Sequence, residues 1–224
     1  MGDIWAGQRN RPRRLFAVQL EKTRDNGTRN REFMGEELAG ADILYLTSSA
    51  ESYSEVSELA DWARQRGILV LWNPGRLKNA RMLPTRGCVI LQSELSAEDE
   101  LEALRELFCT PSLTTTLDRE TLVQTLQEAS RARLAMVQAS GSGKNRNLAR
   151  SLACQGWQMP REGALVVSIG SSADCRLEEV VELWHGTVKR TGELDVLWGT
   201  AFNLEQSDTL RLVLMAVTPG MPNG

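Results

Sequence analysis

Hydrophobic residues between Gly163 and Thr218 follow a strand, helix, strand, strand order. Ala164 to Ile169 is an apolar run that ends in a Gly-Ser-Ser turn. The segment RLEEVVELWHGTVKR then carries apolar residues at helical spacing, which predicts a helix. Its predicted inward face consists of Leu177, Val180, Val181, Trp184 and Val188. The apolar runs LDVLWGTAF and TLRLVLMAV follow, joined by a polar turn. The pattern predicts a βαββ unit.

The region from residue 36 to residue 92 alternates between apolar runs and amphipathic segments. This alternation favours a parallel, Rossmann-like sheet. Counting the short apolar run before this region, strands are predicted at Leu15–Leu20, at Ile43–Thr47 after a short helix, at Ile68–Trp72 and at Cys88–Leu91. A helix is predicted from Ser54 to Arg66, with Gly67 as its C-terminal stop.

The middle of the chain begins with a predicted helix from Ser96 to Phe108, with a capping box formed by Ser96 and Asp99. Its acidic residues are expected on a solvated face: Glu98, Asp99, Glu100, Glu102 and Glu106. A Thr-rich connection, Pro111 to Leu117, precedes a helix that Asp118 caps and that runs to about Ser130. The prediction continues with a strand at Leu134–Ala139, a loop at Gly141 to Gly143 and a helix at Lys144–Gln155.

Composition narrows the class of protein. With 42% hydrophobic and 25% charged residues the chain reads as a soluble globular protein. A net charge of −3 and a pI near 5.4 give no global basis for nucleic-acid binding. The four cysteines are scattered without metal-site spacing, which favours buried single thiols. The N-terminus lacks the apolar segment of a signal peptide, so a cytoplasmic address is expected.

No catalytic or metal-binding set emerges from the residues themselves. The segment from Ala139 to Asn145, ASGSGKN, does not make a complete phosphate loop, because Gln138 and Asn145 stand where that motif needs glycine and Ser or Thr. A glycine turn between strand and helix is the better interpretation. His185 is the only histidine and is predicted to lie on a helix surface. We therefore predict no catalytic residue, no metal and no cofactor.

Several segments in the second half occur in the order known from one protein family. They are TTTLDRETLVQTL, LAMVQASGSGKNRNLARSLA and GALVVSIGSSADCRLEEV. In this order the chain resembles FtsZ and the tubulin superfamily from Pro111 to Pro219. Weaker matches are LFAVQ, ELAGADILYLT and ARQRGILVLWNPGRL. The resemblance implies a truncated Rossmann-like N-terminal part at 1–95, a connecting helix and synergy-like loop at 96–117, and an α+β domain like the FtsZ C-terminal domain at 118–224.

The departures from the family pattern affect the parts that handle GTP. The first strand and its phosphate loop have no counterpart here. The glycine-rich tubulin signature is replaced by Ser48, Ser49, Ala50, Glu51, Ser52, Tyr53 and Ser54, which include no glycine. Glycines let backbone N–H groups approach phosphate closely, and Glu51 would add negative charge there. In the synergy loop Asp118 matches the first acid, but Thr121 stands at the second, and the adjacent Glu120 would point about 100° away on a helix.

These features favour a non-catalytic assembly, scaffold or filament-regulating protein that contacts itself or an FtsZ-like filament. The candidate interface residues are Leu117, Asp118, Glu120, Thr121, Arg11, Arg13 and Arg14. One alternative is a nucleotide-binding enzyme, a GTPase or kinase-like protein, that uses Gly141 to Asn145 or the turn Asn73-Pro74-Gly75. Another is an adaptor for an anionic partner through the Arg-rich N-terminus. Neither nucleic-acid binding nor membrane insertion is expected.

Overall fold

A computed structural model describes residues 14–20, 38, 40–48, 53–75, 88–110, 118–188 and 194–220. The strands are β1 (Leu15–Leu20), β2 (Ile43–Ser48), β3 (Leu69–Asn73), β4 (Val89–Ser93), β5 (Ala129–Ser140), β6 (Ala164–Ser172), β7 (Asp195–Leu204) and β8 (Thr209–Pro219). The helices are α1 (Tyr53–Arg64), α2 (Ala97–Phe108), α3 (Arg119–Gln127), α4 (Lys144–Cys154) and α5 (Leu177–Val188). In the described part of the chain, none of the helices is long and apolar enough to cross a bilayer.

All eight of these strands form one sheet in the order β1-β2-β3-β4-β5-β8-β6-β7. Strands β1 to β5 run parallel, β8 runs antiparallel to both of its neighbours, and β6 and β7 are parallel to each other. Every strand except β8 therefore points the same way. We call the edge where these strands end the carboxyl edge; it is marked by Ser48, Asn73, Ser93, Ser140 and Ser172.

The helices cover the sheet on both faces. Helices α2 and α3 pack through residues such as Leu104 and Leu122 on a core that includes side chains from β2, β5 and β8. Helix α1 packs on the opposite face of β2 to β4, and α4 and α5 pack on that same opposite face of β5, β6 and β8. The alternation of side chains along each strand accounts for the two cores. The architecture is a three-layer α/β fold, which confirms the predicted fold class.

The predicted domain limits of 95/96 and 117/118 remain predictions. Strands from the two predicted parts are joined directly, because β4 pairs in parallel with β5 from Ile90–Arg131 to Ser93–Leu134. The short helix predicted before β2 and the connection Pro111 to Leu117 lie outside the described residues.

Two predicted boundaries near Asp118 were wrong. Helix α3 ends at Gln127 rather than near Ser130, and β5 begins at Ala129 rather than Leu134. Pairing with β8 explains the long strand, since it extends to Pro219 opposite Ala129 through a register shift. Residues 130–133 are too polar to show this pairing as an apolar run.

The predicted inward face of α5 was partly wrong. Leu177 and Val181 are 67% and 42% exposed, whereas Val180 and Leu183 are buried. The helix is rotated so that Trp184 stacks on Trp198 of β7, with ring centroids 4.2 Å apart. The face that packs on the sheet therefore has the spacing 180, 183, 184 and 187.

Candidate functional site

The carboxyl edge is the first place to look for a ligand site, because open α/β sheets bind ligands outside the carboxyl ends of their strands. Part of the predicted phosphate-loop position lies there. Ser48 ends β2, and its hydroxyl accepts a 2.8 Å hydrogen bond from the indole N–H of Trp72. Tyr53 and Ser54 open α1. Residues 49–52 lie outside the described part of the chain.

A buried carboxylate lies just beneath this edge. Glu100, in the first turn of α2, is 1% exposed. It accepts a 2.6 Å hydrogen bond from the hydroxyl of Tyr45 in β2 and hydrogen bonds of 2.9 and 2.8 Å from the side-chain amide of Asn73 at the end of β3. A further hydrogen bond comes from Ser93 at the end of β4. Three strands therefore converge on one acid.

Burial controls the electrostatics of this group, which we call the Glu100 cluster (Glu100, Tyr45, Asn73 and Ser93). Desolvation raises the pKa of Glu100 above its ordinary value, although the hydrogen bonds from Tyr45, Asn73 and Ser93 act in the opposite direction. Burial and the neighbouring Glu100 raise the pKa of the Tyr45 phenol as well. The cluster provides an acid and acceptor oxygens, which do not favour a phosphate.

The prediction that the acids of α2 form a solvated face was wrong for Glu100 and Glu106. Glu106 is 5% exposed and accepts a 2.8 Å hydrogen bond from the hydroxyl of Ser168 in β6. Helical spacing could have identified both acids, because Glu100 lies three and four residues before buried Ala103 and Leu104. Both residues were nevertheless predicted to be solvated, because charged side chains are rarely buried.

Glu106 belongs to a second polar network that joins α2 to β5, β6 and β8. The guanidinium of Arg211 lies 3.4 Å from Glu106 and 2.5 Å from Glu102. It also donates hydrogen bonds of 3.0 and 2.8 Å to the side-chain oxygen of Gln138. Burial raises the pKa of Glu106, against the effects of the Ser168 hydrogen bond and the Arg211 charge.

A polar cleft of about 470 Å³ opens beside this network. Its lining residues are Glu102, Arg105, Glu106, Thr110, Gln138, Leu204, Glu205, Gln206 and Arg211. Arg211 pairs with two glutamates of the wall, Glu102 and Glu106. The charges of these three residues are therefore engaged within the protein.

The loop from Gly141 to Asn145 forms a glycine turn, as predicted. Gly141 and Gly143 have φ values of +76° and +78°, a backbone conformation that glycine adopts readily. Lys144 opens α4, but its side chain is only 3% exposed. Its ammonium group forms ion pairs with Glu179 at 2.9 Å and with Asp208. It is therefore engaged within the protein.

We call Lys144, Glu179 and Asp208 the Lys144 cluster. Burial alone would lower the pKa of Lys144, but the hydrogen bonds to Asp208 and Glu179 outweigh it and raise that pKa. The same contact lowers the pKa of Glu179. Asp208 has a φ of 51°, and its backbone N–H donates hydrogen bonds of 2.9 and 3.1 Å to the carboxylate of Asp174. The cluster fixes the turn between β7 and β8 against α4 and α5.

Three side chains at this cluster have the chemistry of metal ligands. The ligand atoms of Cys175, Glu179 and Asp208 lie within 4.8 Å of one another. Lys144 already supplies the positive charge to both carboxylates, so the group is an ion-pair cluster of the protein's own residues. The cysteines are free; Cys88 is buried as predicted, but Cys154 is exposed, contrary to prediction.

The predicted interface segment has one well-defined feature, the N-cap of α3. Asp118 accepts hydrogen bonds from the backbone N–H groups of Glu120 and Thr121 at 3.1 and 3.3 Å. The Thr121 hydroxyl donates a 2.7 Å hydrogen bond to the same carboxylate. The side chain of Glu120 is exposed. The predicted capping role of Asp118 is confirmed, and Leu117 lies outside the described residues.

The remaining predicted residues are dispersed. Arg14 is exposed, and its backbone N–H donates a 3.0 Å hydrogen bond to Asp42. Arg11 and Arg13 lie outside the described residues. His185 is exposed on α5, which confirms the prediction of a helix-surface residue.

These observations define the class of fold. It is a Rossmann-like run of parallel strands that continues into a mixed βαββ sheet. Solved structures identify it as the FtsZ/tubulin-superfamily fold. A point mutant of FtsZ from M. jannaschii matches with a TM-score of 0.64 at 10% identity, over 85% of this chain and 69% of that chain. CetZ1 from Haloferax volcanii, solved as a GDP-bound monomer, matches with a TM-score of 0.55 at 12% identity, over 83% and 67%.

CetZ from Methanosaeta thermophila matches with a TM-score of 0.53 at 10% identity, over 84% of this chain and 65% of that chain. This chain thus spans about two thirds of the length of the structures it resembles. No protein-family model and no curated protein matches the sequence. The likeness therefore concerns the fold, and the function has to be argued from the site.

Proposed function

We propose that this chain is a non-catalytic protein with an FtsZ/CetZ-like fold that acts through protein contacts, as an assembly, scaffold or filament-regulating factor, without hydrolysing GTP. The observation that carries the proposal is the position of Glu100. Its buried carboxylate draws together side chains from the ends of β3 and β4 and from β2, beneath the edge where a nucleotide is expected to bind.

Nucleotide phosphates are held by N–H groups, hydroxyls and cations. The solved CetZ1 contains GDP. Here, the corresponding stretch from Ser48 to Ser54 has no glycine, and the side chains nearest the ends of β3 and β4 are committed to an acid. A phosphate placed there would meet the acceptor oxygens of Glu100 and, when this acid is ionised, its negative charge. Both features disfavour GTP binding.

The two loops that could serve an unfamiliar nucleotide site are also engaged internally. Lys144 pairs with Glu179 and Asp208, and so does not project from its glycine turn. Asn73 accepts a 2.8 Å hydrogen bond from the backbone N–H of Gly75 while its amide binds Glu100. These contacts favour the non-catalytic proposal over the nucleotide-binding enzyme.

The synergy-like segment supports docking rather than catalysis. In the FtsZ family, the resemblance implies, this face of one subunit covers the nucleotide of the next. Thr121 has a hydroxyl where the family has an acid, and that hydroxyl is bound to Asp118. A hydroxyl cannot accept a proton from water as a carboxylate does. The segment can therefore meet a partner without promoting hydrolysis.

Calorimetry of the whole chain with GTP, GDP and ATP tests the first half of the proposal. We expect no binding at micromolar concentrations, with an active FtsZ as the positive control. Co-sedimentation and light scattering with FtsZ filaments test the second half. We expect the added chain to change the amount or length of polymer. Micromolar nucleotide binding would defeat the non-catalytic proposal, and an unaltered polymer would defeat the filament-regulating form of it.

A further inference from the structure

The two outer strands of the sheet in the described part of the chain, β1 and β7, lack the features that usually protect an edge strand. Within the described residues, β1 pairs only with β2, and β7 pairs only with β6. Strand β1 has the sequence LFAVQL, and β7 carries no charge after Asp195. Proteins usually protect edge strands with lysine, proline or bulges. Neither strand contains lysine or proline, and the register shift of β7 lies only at its carboxyl end.

We infer that β1 of one copy of this chain adds in parallel to β7 of another copy, so that the sheet continues from molecule to molecule. The inference rests on the proposed function, since it names the partner of an assembly protein as a second copy. Main-chain hydrogen bonds along the outer edges of β1 and β7 would provide the contact.

The side chains of the two strands match face by face. Phe16 and Val18 belong to the face covered by α1, and Val196 and Trp198 belong to the same face of the sheet, where α4 and α5 pack. All four are half-buried. In a parallel pair, residues of the same face lie side by side, so the apolar pair of β1 would cover the apolar pair of β7.

The side chains of β1 and β7 also match on the opposite face of the sheet. Leu15 of β1 and Leu197 of β7 are both half-buried, and both pack on the core beneath α2 and α3. A register that places Leu15 beside Asp195 or Leu197 keeps both faces in phase, whereas a shift by one residue exchanges them. The continued sheet would also bring the partner's α1 to the side of α5, the helix on which Leu177 and Val181 are exposed.

Charge distinguishes this arrangement from a symmetric pair of β7 strands. Arg14 precedes β1 and is exposed, and the sequence places further arginines at 9, 11 and 13. Asp195 is exposed at the start of β7. Parallel pairing brings these oppositely charged strand starts to the same end. Antiparallel pairing of two β7 strands would instead set Asp195 near the partner's Glu205, which is also exposed, and like charges across strands are destabilising.

Because the two edges differ, the contact is head-to-tail and does not close a two-fold dimer. Sedimentation of the whole chain at low ionic strength should therefore show association that increases with concentration beyond the dimer. Arg14→Glu and Asp195→Arg should each weaken association roughly tenfold, since each turns an attraction into a repulsion. An equimolar mixture of the two variants should restore contacts between unlike variants, because those contacts then pair opposite charges.

Glu94→Arg and Arg150→Glu serve as matched charge reversals at exposed positions on other elements, and we expect wild-type association from both. Circular dichroism and thermal melting establish that all four variants fold. A chain that stays monomeric overturns the inference, as does association that survives both edge variants. Loss in Arg14→Glu alone indicates β1–β1 pairing and also overturns it, as does failure of the mixture to recover.

The outcomes for this contact and for the proposed function are separable. Nucleotide binding by a chain that still assembles through β1 and β7 would defeat the non-catalytic proposal and leave the contact intact. A monomeric chain that alters FtsZ polymer would defeat the contact and leave the proposed function intact.

Discussion

The hydroxyl of Tyr45 donates a 2.6 Å hydrogen bond to the buried carboxylate of Glu100, and this contact joins the middle of β2 to the first turn of α2. The two residues are 55 positions apart in sequence. Together with Asn73, they place an acid where an α/β sheet commonly receives its ligand. The fold thereby holds an acid with a raised pKa beneath this edge.

Glu100→Gln should make the protein more stable at neutral pH. The pKa of Glu100 lies above its ordinary value of 4.5, so the fold favours the protonated acid. The stability from this group is present below the unfolded pKa and is lost as the pH rises through the folded pKa. Glutamine keeps an oxygen acceptor for Tyr45 and removes the ionisation. We expect a gain on the order of 1 kcal/mol at neutral pH, the scale of a buried polar group's desolvation.

Urea unfolding followed by tryptophan fluorescence at several pH values above about 4, near the ordinary pKa of a glutamate, measures this effect. The variant should lose the decline in unfolding free energy that the wild type shows with rising pH. Glu98→Gln, an exposed acid in the same helical turn, is the control and should leave the decline in place. A Glu100→Gln variant that keeps the wild-type slope would show that Glu100 does not titrate in this window.

The fold was largely predictable from the sequence, because most of its strands and helices are marked by short local patterns of residues. The buried parallel strand β3 begins with the apolar run LVLW, most of β6 is apolar, and the cap of α2 is marked by Ser96 and Asp99. The start of β5 was missed because Ser130, Arg131 and Arg133 are polar residues in a half-buried part of the strand. Its pairing with β8 joins Ala129 to Pro219, a distance along the chain that no local pattern reports.

The Glu100 cluster was not predictable in the same way. Its members come from three strands and one helix, and each residue is ordinary by itself. A glutamate in an acidic first turn is usually solvated, since carboxylates stabilise helix N-termini there. Only the pairing of β2, β3 and β4 reveals that Tyr45 and Asn73 converge on it. Lys144 is the opposite case. Its glycine loop has the sequence of a possible ligand site, but its ammonium group forms ion pairs within the protein.

Lys144→Met should destabilise the protein by about 1–3 kcal/mol, because it leaves Glu179 and Asp208 without their shared cation. Lys144 lowers the pKa of Glu179, so this contribution is present above the unfolded pKa and is lost as the pH falls. The difference from wild type should therefore shrink below about pH 4.5, the ordinary value for this acid. Urea unfolding at neutral and acidic pH measures it.

Arg150→Met is the matched control for Lys144→Met. Arg150 is exposed on the same helix, and its replacement should change stability by less than about 0.5 kcal/mol. Adding Asp208→Asn to Lys144→Met should recover part of the loss, because it removes one of the two unpaired carboxylates. A pH-independent loss with no recovery would mean that packing of the lysine stem, rather than the ion pairs, stabilises this corner.

Asp118 allows capping and docking to be separated. Asp118→Ala should cost about 1 kcal/mol of stability, because the backbone N–H groups of Glu120 and Thr121 lose their acceptor. Asp118→Asn retains a capping oxygen and should keep most of that stability while removing the charge. If the segment docks on an FtsZ filament through that charge, co-sedimentation should weaken for both variants.

Ser96→Ala supplies the control, because Ser96 caps α2 through a 3.1 Å hydrogen bond from Asp99 N–H and lies outside the candidate interface residues. The Ser96→Ala variant should lose a similar amount of stability and should bind filaments as the wild type does. If filament binding instead decreases in proportion to stability in all three variants, Asp118 is not part of the interface.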